Sequence, residues 1–91
     1  MAEVVIYTRD WCSYSDAARA LLERKGVPFQ EINATGNREL RAQMVERANG
    51  ASTFPQIFIG ATHVGGCDDL YALEDQGKLD TMLGTVKGDG A

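Results

Sequence analysis

The chain has 91 residues and a mass of 9.9 kDa, with 44% apolar and 24% charged residues. Its 9 basic and 13 acidic side chains leave a net charge of −4, a poor match to sequence-independent nucleic-acid binding. Length and composition point to one domain over residues 1–91 with one core, and they exclude a disordered chain, a collagen-like repeat and a disulfide scaffold.

The elements follow in order. Val4-Val5-Ile6-Tyr7 is β-branched and aromatic and reads as a buried strand, with a loop over 8–11. From Ser13 to Lys25 the pattern is helical: Ala17, Leu21 and Leu22 recur near a 3.6-residue period and Gly26 supplies the stop. Val27 to Ile32 is an edge-capable strand, since Pro28 cannot donate a ladder hydrogen bond near its start. Small polar residues turn the chain over Asn33–Asn37. Arg38–Ala48 is a second helix with Leu40, Met44, Val45 and Ala48 on its apolar face.

Thr53-Phe54-Pro55 is a tight loop before a third strand, Gln56–Ile59. Gly60-Ala61 turns into a hairpin strand, Thr62-His63-Val64, which Gly65-Gly66 breaks. Cys67-Asp68-Asp69 opens a helix to about Gln76, and Leu79–Leu83 forms a last short one. Residues 86–91 read as a flexible tail. A strand-helix-strand unit of this length implies a parallel pair with a right-handed crossover, and the closing hairpin adds an antiparallel pair. The expected fold is α/β, a four-stranded mixed sheet with helices on its faces.

The 2 cysteines, Cys12 and Cys67, are too few for a disulfide-stapled secreted domain. No apolar run approaches the roughly 18 residues of a membrane span. The stretch from Met1 to Tyr7 lacks the basic start and long apolar run of a signal peptide. The expectation is a cytoplasmic protein with no membrane or nucleic-acid partner.

Cys12 carries the chemistry. It follows a strand and a short loop and opens a helix, where amide donors and the helix dipole favour a thiolate. Arg9 adds a positive charge three residues earlier. The expected pKa lies below the free value of about 8.5. Ser15 stands where a Cys-X-X-Cys dithiol would place its second cysteine, and a hydroxyl cannot close a disulfide. One-thiol chemistry remains: Cys12 attacks a disulfide, and a separate thiol resolves the mixed disulfide. Phe54-Pro55 is either an ordinary strand-initiating proline or a cis proline that frees the preceding backbone for strand addition by an extended ligand. Gly65-Gly66-Cys67-Asp68-Asp69 is either a capped helix start or a seat for a carboxylate and an ammonium group. Cys67 reads as a packed or regulatory thiol without a part in resolving Cys12. His63 reads as a surface residue, neither ligand nor base, and no metal site is expected from these side chains alone.

Together these stretches resemble the glutaredoxins, the short bacterial glutaredoxin-3-like members most of all. The matching residues are Val5-Ile6-Tyr7-Thr8, Trp11-Cys12-Ser13-Tyr14, Lys25-Gly26-Val27, Thr53 to Ile59 and Gly65 to Leu70. The resemblance spans roughly residues 3–84. It implies a thioredoxin fold with cis Pro55, glutathione as cosubstrate, and reduction of protein–glutathione mixed disulfides by a monomer. It implies Cys12 as nucleophile and Tyr14 as the wall beside the glutathione sulfur. Arg9 and Arg41 would meet the glycine carboxylate, Phe54 with Pro55 the cysteinyl unit, and Cys67, Asp68 and Asp69 the γ-glutamyl end. Ser15 departs from the many relatives with cysteine there, and is either natural or an introduced replacement. Phe54 departs from the common valine. The alternative is a [2Fe–2S] carrier, in which Cys12 and a bound glutathione from each of two chains supply four thiolates. Ser13-Tyr14 and the short Thr8-to-Trp11 loop fit that class poorly.

Overall fold

A computed structural model describes residues 2–84 of the chain. The tail expected over 86–91 lies outside the described residues. The elements run β1 (Val4–Thr8), α1 (Ser13–Arg24), β2 (Gln30–Asn33), α2 (Arg38–Arg47), β3 (Gln56–Ile59), β4 (Thr62–Gly65), α3 (Cys67–Asp75) and α4 (Leu79–Leu83). They build one sheet in the order β2-β1-β3-β4. The β1–β2 pair is parallel, joined through α1, and the β1–β3 and β3–β4 pairs are antiparallel.

The continuous apolar run of β1 is explained by its place. It lies between two strands, and every one of its residues is buried. Successive side chains of a strand point to opposite faces. Val4 and Ile6 therefore pack with Ile57 and Ile59 of β3 against Ala18, Leu21 and Leu22 of α1, Leu70 of α3, and Leu79 and Leu83 of α4. Val5, Tyr7 and Phe58 face the other way, onto Met44 of α2 and Ala48 just beyond it. Three helices thus cover one face and one helix the other.

Two boundaries differ from the sequence expectation. β2 begins at Gln30, three residues after Val27, because its register opens at Val5–Gln30 and Pro28 has no N–H to contribute. Val27 is buried in the larger cluster instead. β4 continues through Gly65, which pairs with Ile57 across an irregularity, while Phe58 pairs with His63. Gly65 has φ +115°, and a Cβ there would collide with the Asp69 carboxylate. Only glycine fits that turn into α3. On α2, Met44 and Ala48 are buried and Val45 is partly so, whereas Leu40 stays half-exposed outside the cluster. Among the described residues, no helix is long and apolar enough to cross a membrane.

Candidate active site

The loop after β1 places a thiol at a helix start. Trp11 has φ +60° and is 99% exposed, so the chain turns sharply there and projects the indole outward. Cys12 follows in extended conformation as the N-cap of α1, its carbonyl accepting from the Asp16 amide at 3.1 Å. A cysteine thus holds the position usually filled by Ser, Thr, Asp or Asn. Its side chain is buried, with Sγ 3.9 Å from the Phe54 carbonyl oxygen. Burial pushes the thiol up. The Ser15 hydroxyl and amide, the Tyr14 amide and the Arg9 side chain outweigh it, and the pKa falls below the ordinary cysteine value.

Ser15, one turn into α1, is fully buried, and its Oγ accepts from the Arg9 amide at 3.4 Å. It faces the site without offering a second thiol. Tyr14 is 61% exposed. The Phe54–Pro55 peptide bond is cis. Phe54 carries Arg9 over its ring, guanidinium carbon 5.8 Å from the centroid.

Two cavities flank Phe54 and Tyr14. One, of about 400 Å³, is lined by Arg9, Cys12 and Arg41 besides those two residues. The other, of about 380 Å³, runs past Pro55 to Cys67, Asp68 and Asp69. All nine site residues expected from the sequence therefore border one continuous groove. Its ends differ in charge. Neither Arg9 nor Arg41 belongs to an ion pair among the described residues. At the opposite end, Asp69 Oδ2 accepts from the Gly66 amide at 3.0 Å, while Asp68 is exposed. A ligand with a carboxylate at one end and an ammonium at the other matches this polarity. No group of three or more His, Cys, Asp or Glu side chains among the described residues is placed to hold a metal ion.

The packed thiol expected at Cys67 is found, and the reading of His63 needs correction. Cys67 is buried and lines the groove with Tyr14 and Phe54. Burial, Asp68 and Cys12 push its thiol up. Helices α1 and α3 pack on the same sheet face, and Tyr14 and Cys67 from their first turns line one cavity. His63 is half-buried, not a surface residue. It stacks on Phe58 at 4.9 Å between centroids, and Nε2 lies 2.6 Å from Gln56 Oε1. Gln56 and His63 both line the groove, and sequence reasoning assigned neither to it. Gln56 precedes three apolar residues of β3, and a polar residue opening a buried strand was the available signal.

Comparison with known proteins agrees with the fold. The family model for glutaredoxin matches residues 4–64. A glutaredoxin of Pseudomonas aeruginosa is 60% identical over 83 residues, which cover 91% of this chain and 98% of that one. Glutaredoxin from Brucella melitensis is 63% identical and superposes with a TM-score of 0.81, covering 96% of this chain and 94% of that one. Buckwheat glutaredoxin, solved in complex with glutathione, is 27% identical with a TM-score of 0.80, covering 94% and 83%. The fold is the thioredoxin fold, and the chain belongs to the glutaredoxin family of glutathione-dependent oxidoreductases.

Proposed function

We propose that this chain reduces protein–glutathione mixed disulfides through Cys12 alone. The Cys12 thiolate attacks the glutathione sulfur of the mixed disulfide. The S–S bond breaks, the protein leaves as its thiolate, and Cys12 carries the glutathionyl group. The thiolate of a second glutathione attacks the glutathione sulfur of that new disulfide. Oxidised glutathione departs, and the electron pair of the broken bond returns to Cys12 as thiolate. In the net reaction one protein–glutathione disulfide and one glutathione thiol give one protein thiol and one oxidised glutathione, half of which came from the substrate.

The observation that carries this reading is the environment of Cys12: a thiolate-favouring helix start with a buried hydroxyl, Ser15, where a dithiol enzyme needs its second sulfur. The groove supports it. In this reading Arg9 and Arg41 hold the glycine carboxylate, and the backbone of Phe54, before Pro55, pairs with the cysteinyl unit. Tyr14 walls the sulfur, while Asp68 and Asp69 at the Cys67 end take the γ-glutamyl group. Orienting the glutathionyl unit directs attack to its sulfur and away from the protein's.

The test is steady-state deglutathionylation of a glutathionylated peptide, with glutathione as sole reductant and Ser15→Cys alongside. Sustained turnover by the unaltered chain, with a Cys12–glutathione adduct in the mass spectrum, is the expected result. A chain that stalls as that adduct, and turns over only as Ser15→Cys, would show that Ser15 arrests a dithiol enzyme.

A further inference from the structure

The groove floor is the turn Thr53-Phe54-Pro55, and one buried side chain reaches back to it. Gln56 is 2% exposed, so each polar atom of its amide needs a partner. Nε2 donates to the Thr53 carbonyl at 3.0 Å and to Thr53 Oγ1 at 3.1 Å. A carbonyl only accepts, so the amide nitrogen must be the atom facing Thr53, and that settles which way the amide points. Oε1 then faces His63 Nε2 at 2.6 Å. An amide oxygen also only accepts. His63 must therefore carry a proton on Nε2. With the proton on Nδ1 instead, the imidazole would aim a lone pair at Oε1, and the amide would have to turn and lose the Thr53 carbonyl.

The imidazole is itself held. It stacks on Phe58 with an interplanar angle of 25°. Phe58 is fixed by the edge of Tyr7 at 5.9 Å and by the Arg47 guanidinium 4.5 Å from its ring centroid. The chain of contacts thus runs from the α2 face of the sheet, through a stacked imidazole and a buried amide, to the turn whose Phe54 carbonyl faces Cys12 Sγ.

We propose that His63 is a positioning residue for the glutathione groove: its Nε2–H orients the Gln56 amide, which pins Thr53 and thereby the backbone of Phe54 beside Cys12. This rests on the functional reading above. The residue touches no reacting atom. Its effect falls on binding of the glutathionyl unit and not on the thiolate, whose stabilising groups all belong to the loop and first turn around α1's start. Removing the donor leaves the amide free to rotate and the turn less fixed, a loss on the scale of one buried hydrogen bond.

The experiment compares wild type, His63→Leu and His63→Gln in deglutathionylation of a glutathionylated peptide, with the pH profile of Cys12 alkylation measured on each. His63→Leu should raise KM for the peptide by about 3- to 10-fold with little change in kcat, the range one hydrogen bond spans. His63→Gln, which can again donate to Oε1, should recover most of that. The Cys12 alkylation profile should be the same in all three. Nitrogen-15 NMR of the wild-type imidazole, well above the ordinary histidine range, should report the Nε2–H tautomer. An Nδ1–H tautomer, an unchanged KM in His63→Leu, or no recovery in His63→Gln overturns the proposal. So does an alkylation profile displaced in both variants, the mark of a merely structural role. A wild type that leaves the peptide glutathionylated overturns the functional reading and this proposal together, whereas wild-type turnover with an unaffected His63→Leu overturns this proposal alone.

Discussion

The two cysteines share a setting and differ in state. Each sits at a helix N-terminus, each is buried, and both border one groove. Yet Cys12 is pulled below the ordinary thiol pKa and Cys67 is pushed above it. Burial acts upward on both. What separates them is the company. Around Cys12 stand a hydroxyl, two free amides and a guanidinium, all donors. The acid in that helix's first turn, Asp16, is paired with Arg19 at 2.8 Å. Around Cys67 stand Asp68 and the Cys12 sulfur, and the carboxylate of Asp69 already takes the Gly66 amide. A helix dipole is therefore a modest field that neighbouring charges and donors reinforce or cancel.

The sharpest way to break the comparison is to delete each sulfur. Cys12→Ser should abolish deglutathionylation, a fall on the order of 10³-fold or more, as loss of a covalent nucleophile does. Cys67→Ser should keep kcat and raise KM about threefold, since under the proposed binding mode only one weak contact with the γ-glutamyl end is altered. Steady-state kinetics on both variants decides this, and turnover by Cys12→Ser would end the one-thiol mechanism. A second test removes what holds Cys12 down. Ser15→Ala deletes a hydrogen bond to the thiolate, so the pH profile of Cys12 alkylation should move upward. Its alkylation rate at neutral pH should fall by about tenfold, the scale of a hydrogen bond to a charged group. The sign is fixed: a lowered pKa keeps the sulfur as thiolate until the pH drops through that lowered value, and the variant loses the thiolate sooner.

Much of this site was legible from the sequence because its chemistry is local. Cys12 at a strand-to-helix junction, Ser15 three residues on and Arg9 three before are spaced by one turn or one loop, and local spacing is what periodicity reads. Most of the fold was legible for the same reason, since Val4–Tyr7, Ser13–Lys25 and Gln56–Ile59 each carry a continuous pattern. What escaped depends on partners far along the chain. His63 looks exposed in a short polar hairpin, but the irregular register of β3 and β4 sets it opposite Phe58 and beside Gln56. Cys67, 55 positions from Cys12, was placed at the groove by the family resemblance alone, since no local pattern links the two and packing of α1 and α3 on one sheet face sets it there. The start of β2 was misplaced because Pro28 and the pairing of Val5 with Gln30 decide where the ladder opens, and Val27 is apolar for the core and not for the strand.

Finer substitutions probe the company each sulfur keeps. Phe54→Val removes the ring under Arg9, whose guanidinium then ranges over solvent. An exposed cation–π contact is worth about 0.5–1 kcal/mol, so KM for a glutathionylated peptide should rise about two- to fivefold. The Cys12 alkylation profile should move slightly upward as the Arg9 hydrogen bond weakens. A KM that stayed the same would mean that Arg9 finds its place without the ring. The smallest effect is expected on the other side of the groove. Asp68→Asn removes one of the charges that act on Cys67, leaving burial and the Cys12 thiolate in place. Cys67 should then alkylate about two- to fourfold faster in alkaline buffer, the modest gain expected for a charge that is itself exposed to water. Asp68 is no part of what lowers Cys12, so that profile should stay where it is. If both thiols moved together, the two helix starts would be titrating as one coupled unit, and the contrast between them would belong to the pair and not to their separate neighbours.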